Sequence, residues 1–175
     1  METAPLPRFA GKATLRRLSR SDLADFQAYR HDPLVGLYQG WSVMPDPDAS
    51  AFLSEMNLAP LLQPGIWSQI GIADPQTLRL IGDIGLCLAA DGQQAEVGIT
   101  LERQSQGRGI ATAAVRETIK LVFQMTAAQR VIGITDTRNL PSIRLLERVG
   151  MHRVKSQSTV FRGEPCTEYV YAILR

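Results

Sequence analysis

Between Glu96 and Arg116 the chain reads EVGITLERQSQGRGIATAAVR. An apolar, β-rich segment, Val97 to Leu101, runs through a turn carrying Gly107 and Gly109 directly into a helical pattern. The first N–H groups of a helix have no partner inside it, and the aligned peptide dipoles make that end positive. Glycines carry no Cβ, so a bulky phosphate can reach the backbone. The stretch therefore predicts a binding site for a phosphorylated cofactor, while the same residues also suit an ordinary strand-to-helix turn.

The wording of the turn separates the cofactor classes. A dinucleotide fingerprint, G-x-G-x-x-G, is met by Gly107 and Gly109 but finds Thr112 in place of the third glycine, and no acidic ribose ligand follows at the right distance. A Walker A loop is absent. Gln106, Gly109 and Ala111 instead spell Q-x-x-G-x-A. That pattern resembles motif A of the GCN5-related N-acetyltransferases (GNAT), commonly Q/R-x-x-G-x-G/A.

The elements that must hold this turn are legible around it. At 175 residues, 45% hydrophobic and 21% charged, the chain is expected to be one soluble globular domain, residues 13–175, after a loose arm, residues 1–12, with Pro5, Pro7 and Gly11. Strands are predicted at Ala13 to Leu18, Ile66 to Ala73, Leu78 to Leu88, Ala95 to Leu101, Arg130 to Thr135, His152 to Phe161 and Thr167 to Leu174. Helices are predicted over the LADFQAYR segment ending before Pro33, over Leu34 to Tyr38, from Pro47 or Asp48 to Ala59, from Gly109 to Met125, and from Leu140 to Arg148 with Gly150 as its stop. The three strands before Gly107 should be consecutive and antiparallel. Without the short Leu34 to Tyr38 helix, the order β-α-α-β-β-β-α-β-α-β-β predicts an α/β (α+β) domain, a mixed, mostly antiparallel sheet with helices on both faces.

Composition excludes several functions. Nineteen Lys+Arg against 17 Asp+Glu give a net charge of +2, too balanced for a nucleic-acid or membrane surface. No signal peptide or membrane span is expected, and the cytoplasm is the expected compartment. Two histidines, His31 and His152, and two distant cysteines, Cys87 and Cys166, argue against a metal centre and for reduced thiols.

The segment NLPSIRLLERVGM, from Asn139 to Met151, begins with an N-cap and a first-turn proline, as a well-capped amphipathic helix should. It also resembles motif B of the GNAT family, and more narrowly its RimJ/RimL-like branch. The two motifs occur in the right order, separated by one helix and one strand. The resemblance implies that two central strands, Ala95–Leu101 and Arg130–Thr135, splay apart and that acetyl-CoA lies between them. Its pantetheine arm would meet backbone at Ile99, Thr100 and Leu101. Amides of Gln106, Gly107, Arg108, Gly109, Ile110, Ala111 and Thr112 would hold the pyrophosphate, Asn139 would contact the cofactor from the far side, and Arg103 and Arg108 would add positive charge or stand as solvated turn residues.

Acetyl transfer to an amine requires a neutral amine, stabilisation of the oxyanion and a proton for the thiolate. Many family members place a tyrosine seven residues after the motif-B asparagine; here that position is Leu146. Ser142 is the replacement candidate implied by the RimJ/RimL branch, set against a plain first-turn role. Glu96 is the candidate base, directly or through water, set against an exposed strand-edge carboxylate, and Asp83 is the weaker alternative. An α-amine, with a pKa of about 7.7–8.0 against about 10.4 for lysine, needs little help from a base. Tyr38 and Trp41 are candidates for the acceptor cleft, or for packing. The expected activity is N-acetylation of a protein N-terminal α-amine or a small-molecule amine by a monomer or homodimer. The alternatives are a CoA-binding module and a transferase of longer acyl groups.

Overall fold

A computed structural model describes residues 5–175; residues 1–4 of the expected arm lie outside the described residues. Arg8–Phe9 form a two-residue strand, β1, too short to leave a pattern in the sequence, and pair with β2, Thr14–Arg16. The chain continues through α1 (Leu23–Arg30), α2 (Pro33–Gly36) and α3 (Asp46–Leu58), then β3 (Trp67–Ala73), β4 (Leu80–Leu88) and β5 (Gln94–Leu101). After the glycine turn come α4 (Ile110–Met125), β6 (Arg130–Asp136), α5 (Leu140–Arg148), β7 (His152–Phe161) and β8 (Glu164–Leu174).

One eight-stranded sheet results, in the order β1-β2-β3-β4-β5-β6-β8-β7. Every neighbouring pair is antiparallel except β5 with β6. The parallel step follows from connection length, since α4 carries the chain from the end of β5 back to the start of β6. Strand alternation gives each face its own core. Val97, Leu101, Ile110, Val115, Leu145 and Leu146 belong to a cluster under α4 and α5, whereas Leu18, Phe26, Tyr29, Leu53 and Leu80 join α1 and α3 on the other face.

Local signals place most boundaries. Ser19 forms a capping box with Asp22 ahead of α1, and His31 closes that helix next to Pro33. Asn139 caps α5, whose first turn holds Pro141, and Gly150 beyond its end takes φ +99°. The last hairpin is tighter than expected: β8 begins at Glu164, because Arg162 and Gly163 alone make the turn, both with positive φ. Among the described residues no helix is long and apolar enough to cross a membrane.

A close approach fixes the outer end of β5. A Cβ on Gly82 of β4 would stand 2.3 Å from the Thr100 carbonyl oxygen. Glycine there lets β4 hold β5 along its whole length, from Leu88↔Ala95 to Gly82↔Leu101.

Candidate active site

The parallel pair β5–β6 carries three matched positions, Gln94↔Arg130, Ala95↔Val131 and Glu96↔Ile132. Beyond them β5 runs on to Leu101 and β6 to Asp136 with no partner between them. Their outer edges stay zipped, β5 to β4 and β6 to β8 as far as Asp136↔Glu168. The sheet therefore opens as a wedge whose two inner banks present backbone groups that a ladder would otherwise consume.

A cavity of about 590 Å³ fills the wedge, inside the range of small-molecule sites, about 300–1,000 Å³. Val97, Gly98, Ile99 and Leu101 line one bank, and Gly133, Ile134, Thr135 and Asp136 the other. The glycine turn closes the outer end through Gln106, Gly107, Gly109, Ile110, Ala111 and Thr112. Asn139, Pro141, Ser142, Leu145 and Leu146 of the α5 region form a further wall.

The turn is built to expose amides. Gln106 donates its side-chain N–H to the Leu101 carbonyl at 2.9 Å, bracing the turn against the end of β5. Gly107 and Gly109 take φ +70° and +79°, the left-handed region in which a side chain is strained. Gly109 caps α4 without a side chain, and the first helical bond is Ala113 N–H to the Gly109 carbonyl. The amides of Ile110, Ala111 and Thr112 thus precede the helical ladder at the cavity wall. Lys12, far away in sequence, donates its Nζ to the Arg108 carbonyl at 2.9 Å and lies beside Gly109. An ammonium at a dipole-positive helix end is the donor set for a phosphate.

The residues expected from sequence divide into those that line the cavity and those that do not. Ile99, Leu101, Gln106, Gly107, Gly109, Ile110, Ala111, Thr112, Asn139, Ser142 and Tyr38 all line the cavity. Thr100, Arg108, Glu96 and Trp41 do not. Thr100 points to the opposite face, is buried, and accepts the Trp41 indole N–H at 3.1 Å. Trp41 lies on the Arg30 guanidinium, 4.3 Å from its ring centroid. Arg108 is exposed and offers only its carbonyl, to Lys12. Leu146, where a tyrosine was looked for, packs into β6: a Cβ on Gly133 would stand 2.7 Å from Leu146 Cδ2. Ser142 donates its backbone N–H to Asn139 Oδ1 at 3.3 Å while lining the cavity. Asp83 is committed to a buried pair with Arg30, at 2.9 Å, under α1.

Sequence reading missed several lining groups. Glu168 on β8 belongs to the cavity wall and accepts from Gln157 at 3.2 Å; its segment reads as an ordinary strand. Gln39 donates to the Ile99 carbonyl at 3.0 Å, and Arg162 at the β7–β8 hairpin donates to the Gly36 and Gln39 carbonyls at 3.1 and 3.0 Å. These bonds tie the segment after α2 to both sides of the wedge. The Arg162-Gly163 pair, both at positive φ, makes the hairpin tip, and its glycine was the available sequence signal.

Glu96 sits at the apex, in the last matched pair. Burial, and then the negative charge of Glu168, raise its carboxyl above the ordinary range. A carboxyl held high in the folded state contributes stability that is complete below its unfolded pKa of about 4.3 and is lost as pH rises through the folded value. Glu96→Gln stays neutral and is expected to raise the urea midpoint at pH 7, with the gain vanishing toward pH 4. An equal gain at both pH values would mean that ionisation is not its source.

Comparison with known proteins supplies the family. An acetyltransferase (GNAT) domain family matches residues 12–152. The probable N-acetyltransferase YjcK of Bacillus subtilis (strain 168) is 35% identical over 85 residues, 47% of this chain and 47% of the relative, so the match spans about half the length of each. A GNAT-family acetyltransferase structure from Bacillus anthracis superposes with a TM-score of 0.84 at 23% identity, covering 97% of this chain and 98% of that one. A spermidine N-acetyltransferase from Vibrio cholerae, in complex with CoA and spermine, gives 0.77 at 19% identity over 93% and 95%. The two structures establish the fold alone. With a family match across most of its length and the parted strands that match implies, the chain belongs to the GNAT acetyltransferases, the family of acetyl-CoA-dependent N-acetyl transfer.

Proposed function

We propose that this chain moves the acetyl group of acetyl-CoA to a primary amine, a protein N-terminal α-amine or a small-molecule amine, in the manner of the RimJ/RimL-like branch. The carrying observation is the wedge that opens after Glu96↔Ile132 with the uncapped start of α4 at its mouth. The donors present fit the cofactor: turn amides and Lys12 for its diphosphate, the free bank of β5 near Ile99 and Leu101 for its amide arm.

When bound, acetyl-CoA supplies an activated acyl group and a thiolate that leaves with little acid assistance, since thiols have a pKa of about 8.5. The chain supplies position and charge. Backbone N–H groups on β5 past the apex can face negative charge developing on the acyl oxygen. Ser142, which lines the cavity beside Asn139, holds a proton for the departing sulfur in this reading. Glu96 and Glu168 face the acceptor side of the sheet, where carboxylates draw in a protonated amine, and Glu96 takes a proton from it directly or through water. Tyr38, with Arg138 5.8 Å above its ring, lines the acceptor approach.

The test is release of free thiol from acetyl-CoA with N-terminal peptides and small amines as acceptors. Ser142→Ala is expected to lower kcat by on the order of a hundredfold with the KM for acetyl-CoA unchanged. Turnover with the wild type and an unaltered kcat in the variant would remove Ser142 from the chemistry. CoA binding without turnover on any acceptor class would make the chain a CoA-binding module instead.

A further inference from the structure

We infer that the Thr135 hydroxyl on β6 bonds the extended, amide-bearing arm of the acyl-CoA from the bank opposite β5. The inference rests on the cofactor reading above and extends it to a residue that neither sequence motif contains.

Thr135 is 5% exposed, lines the wedge cavity, and its Oγ1 is buried without a hydrogen-bond partner in the protein. A hydroxyl kept from water and left unpaired costs folding stability, and an isosteric apolar side chain would avoid that cost. The neighbouring polar side chains are committed elsewhere. The Asp136 carboxylate is held by Arg138, at 2.9 and 2.7 Å, and Asn139 Oδ1 accepts from Ser142.

Its place along the strand selects the ligand. Thr135 lies beyond Ile132, the last β6 residue matched to β5, by about 10 Å at about 3.3 Å per residue. Alternation puts it on the side of Gly133, toward α5, rather than with Ile134. A chain lying between the banks, with its diphosphate at Gly107–Thr112, passes this point with its amide-bearing portion. Backbone of β5 can pair one edge of that arm, and a hydroxyl, which both donates and accepts, can pair the other.

The experiment is calorimetric titration of the full chain with CoA and with adenosine 3′,5′-bisphosphate, which has the nucleotide phosphates but no arm, alongside denaturation without ligand. Thr135→Val is expected to weaken CoA binding about tenfold, ~1.4 kcal/mol, to leave adenosine bisphosphate binding unchanged, and to be at least as stable as wild type. Thr135→Ser keeps the hydroxyl and should bind CoA within about threefold of wild type, a spread typical of one interaction in different contexts. Equal CoA affinity in the valine variant overturns the inference while leaving the cofactor site intact. Equal losses for both ligands, or a valine variant less stable than wild type, overturn it by making the hydroxyl structural. A wild type that binds neither ligand overturns the cofactor reading and this inference together.

Discussion

Arg30→Met is expected to cost about 3–5 kcal/mol of folding stability, read as a fall in the urea midpoint. Arg30 and Asp83 are 4% and 1% exposed, and Arg30 Nη2 meets both carboxylate oxygens, at 3.0 and 2.9 Å. Asp83 also accepts from Gln69 at 2.6 Å and from the Tyr29 hydroxyl. Burial, then the Asp83 charge, pushes the Tyr29 phenol well above its ordinary range, so it stays a donor. The guanidinium stacks on Phe26, 4.6 Å from the centroid, and on Trp41. Methionine keeps some of that packing but leaves a carboxylate in the core without its counter-charge, and it is this uncompensated charge that is costly. Removing both charges, as Arg30→Met with Asp83→Leu, should recover most of the loss. If the single variant loses no more than a surface change does, about 0.5 kcal/mol, the pair is not what anchors α1 to β4.

Gly109→Glu is expected to reduce CoA affinity by on the order of 10²–10⁴-fold. Two charge-assisted bonds at about 1.5–3 kcal/mol each are worth about 3–6 kcal/mol, and about 1.4 kcal/mol is tenfold. The new carboxylate would stand where the cofactor's anion belongs, beside Lys12, whose Nζ lies 3.3 Å from the position of an added Cβ. It would satisfy the lysine and the helix end from within the chain. Because φ is +79° at this position, a side chain also costs about 1–2 kcal/mol of backbone strain. Gly109→Ala, with the strain but not the charge, should keep most of the affinity. Calorimetry on the two variants separates the effects, and an unweakened glutamate variant would relocate the phosphate site.

Sequence revealed the parts of this site that are decided locally. The glycine turn, the Asn139 cap and the stop at Gly150 are each specified by residues within a few positions of one another, and the structure has them where the pattern put them. Thr100 was grouped with Ile99 and Leu101 for its backbone, and alternation sends its side chain to the other face, where it meets Trp41. Lys12 reaches Arg108 across 96 residues, and Trp41 finds Thr100 across 59. No local pattern encodes such meetings, so the lysine was missed and the tryptophan stood as a candidate for the cleft or for packing, of which the structure has the packing. The apex at Glu96↔Ile132 is also set by tertiary packing, since apolar residues recur at Ala95, Val97, Ile99 and Leu101 on both sides of the point where its neighbour departs. Its existence was implied by family resemblance rather than by the residues of β5.

Among the described residues, three matched pairs are all that join β1–β5 to β6, β8 and β7 within the plane of the sheet. Each half is a fully laced plate, and the seam between them is about 10 Å long at about 3.3 Å per residue. Rotation about so short a seam disturbs few ladder bonds, whereas bending either plate would break many. The core beneath α4 and α5 spans both plates, and a molecule lodged in the gap and bonded to both banks would add in-plane rungs past the seam, completing the sheet that the chain alone leaves unlaced.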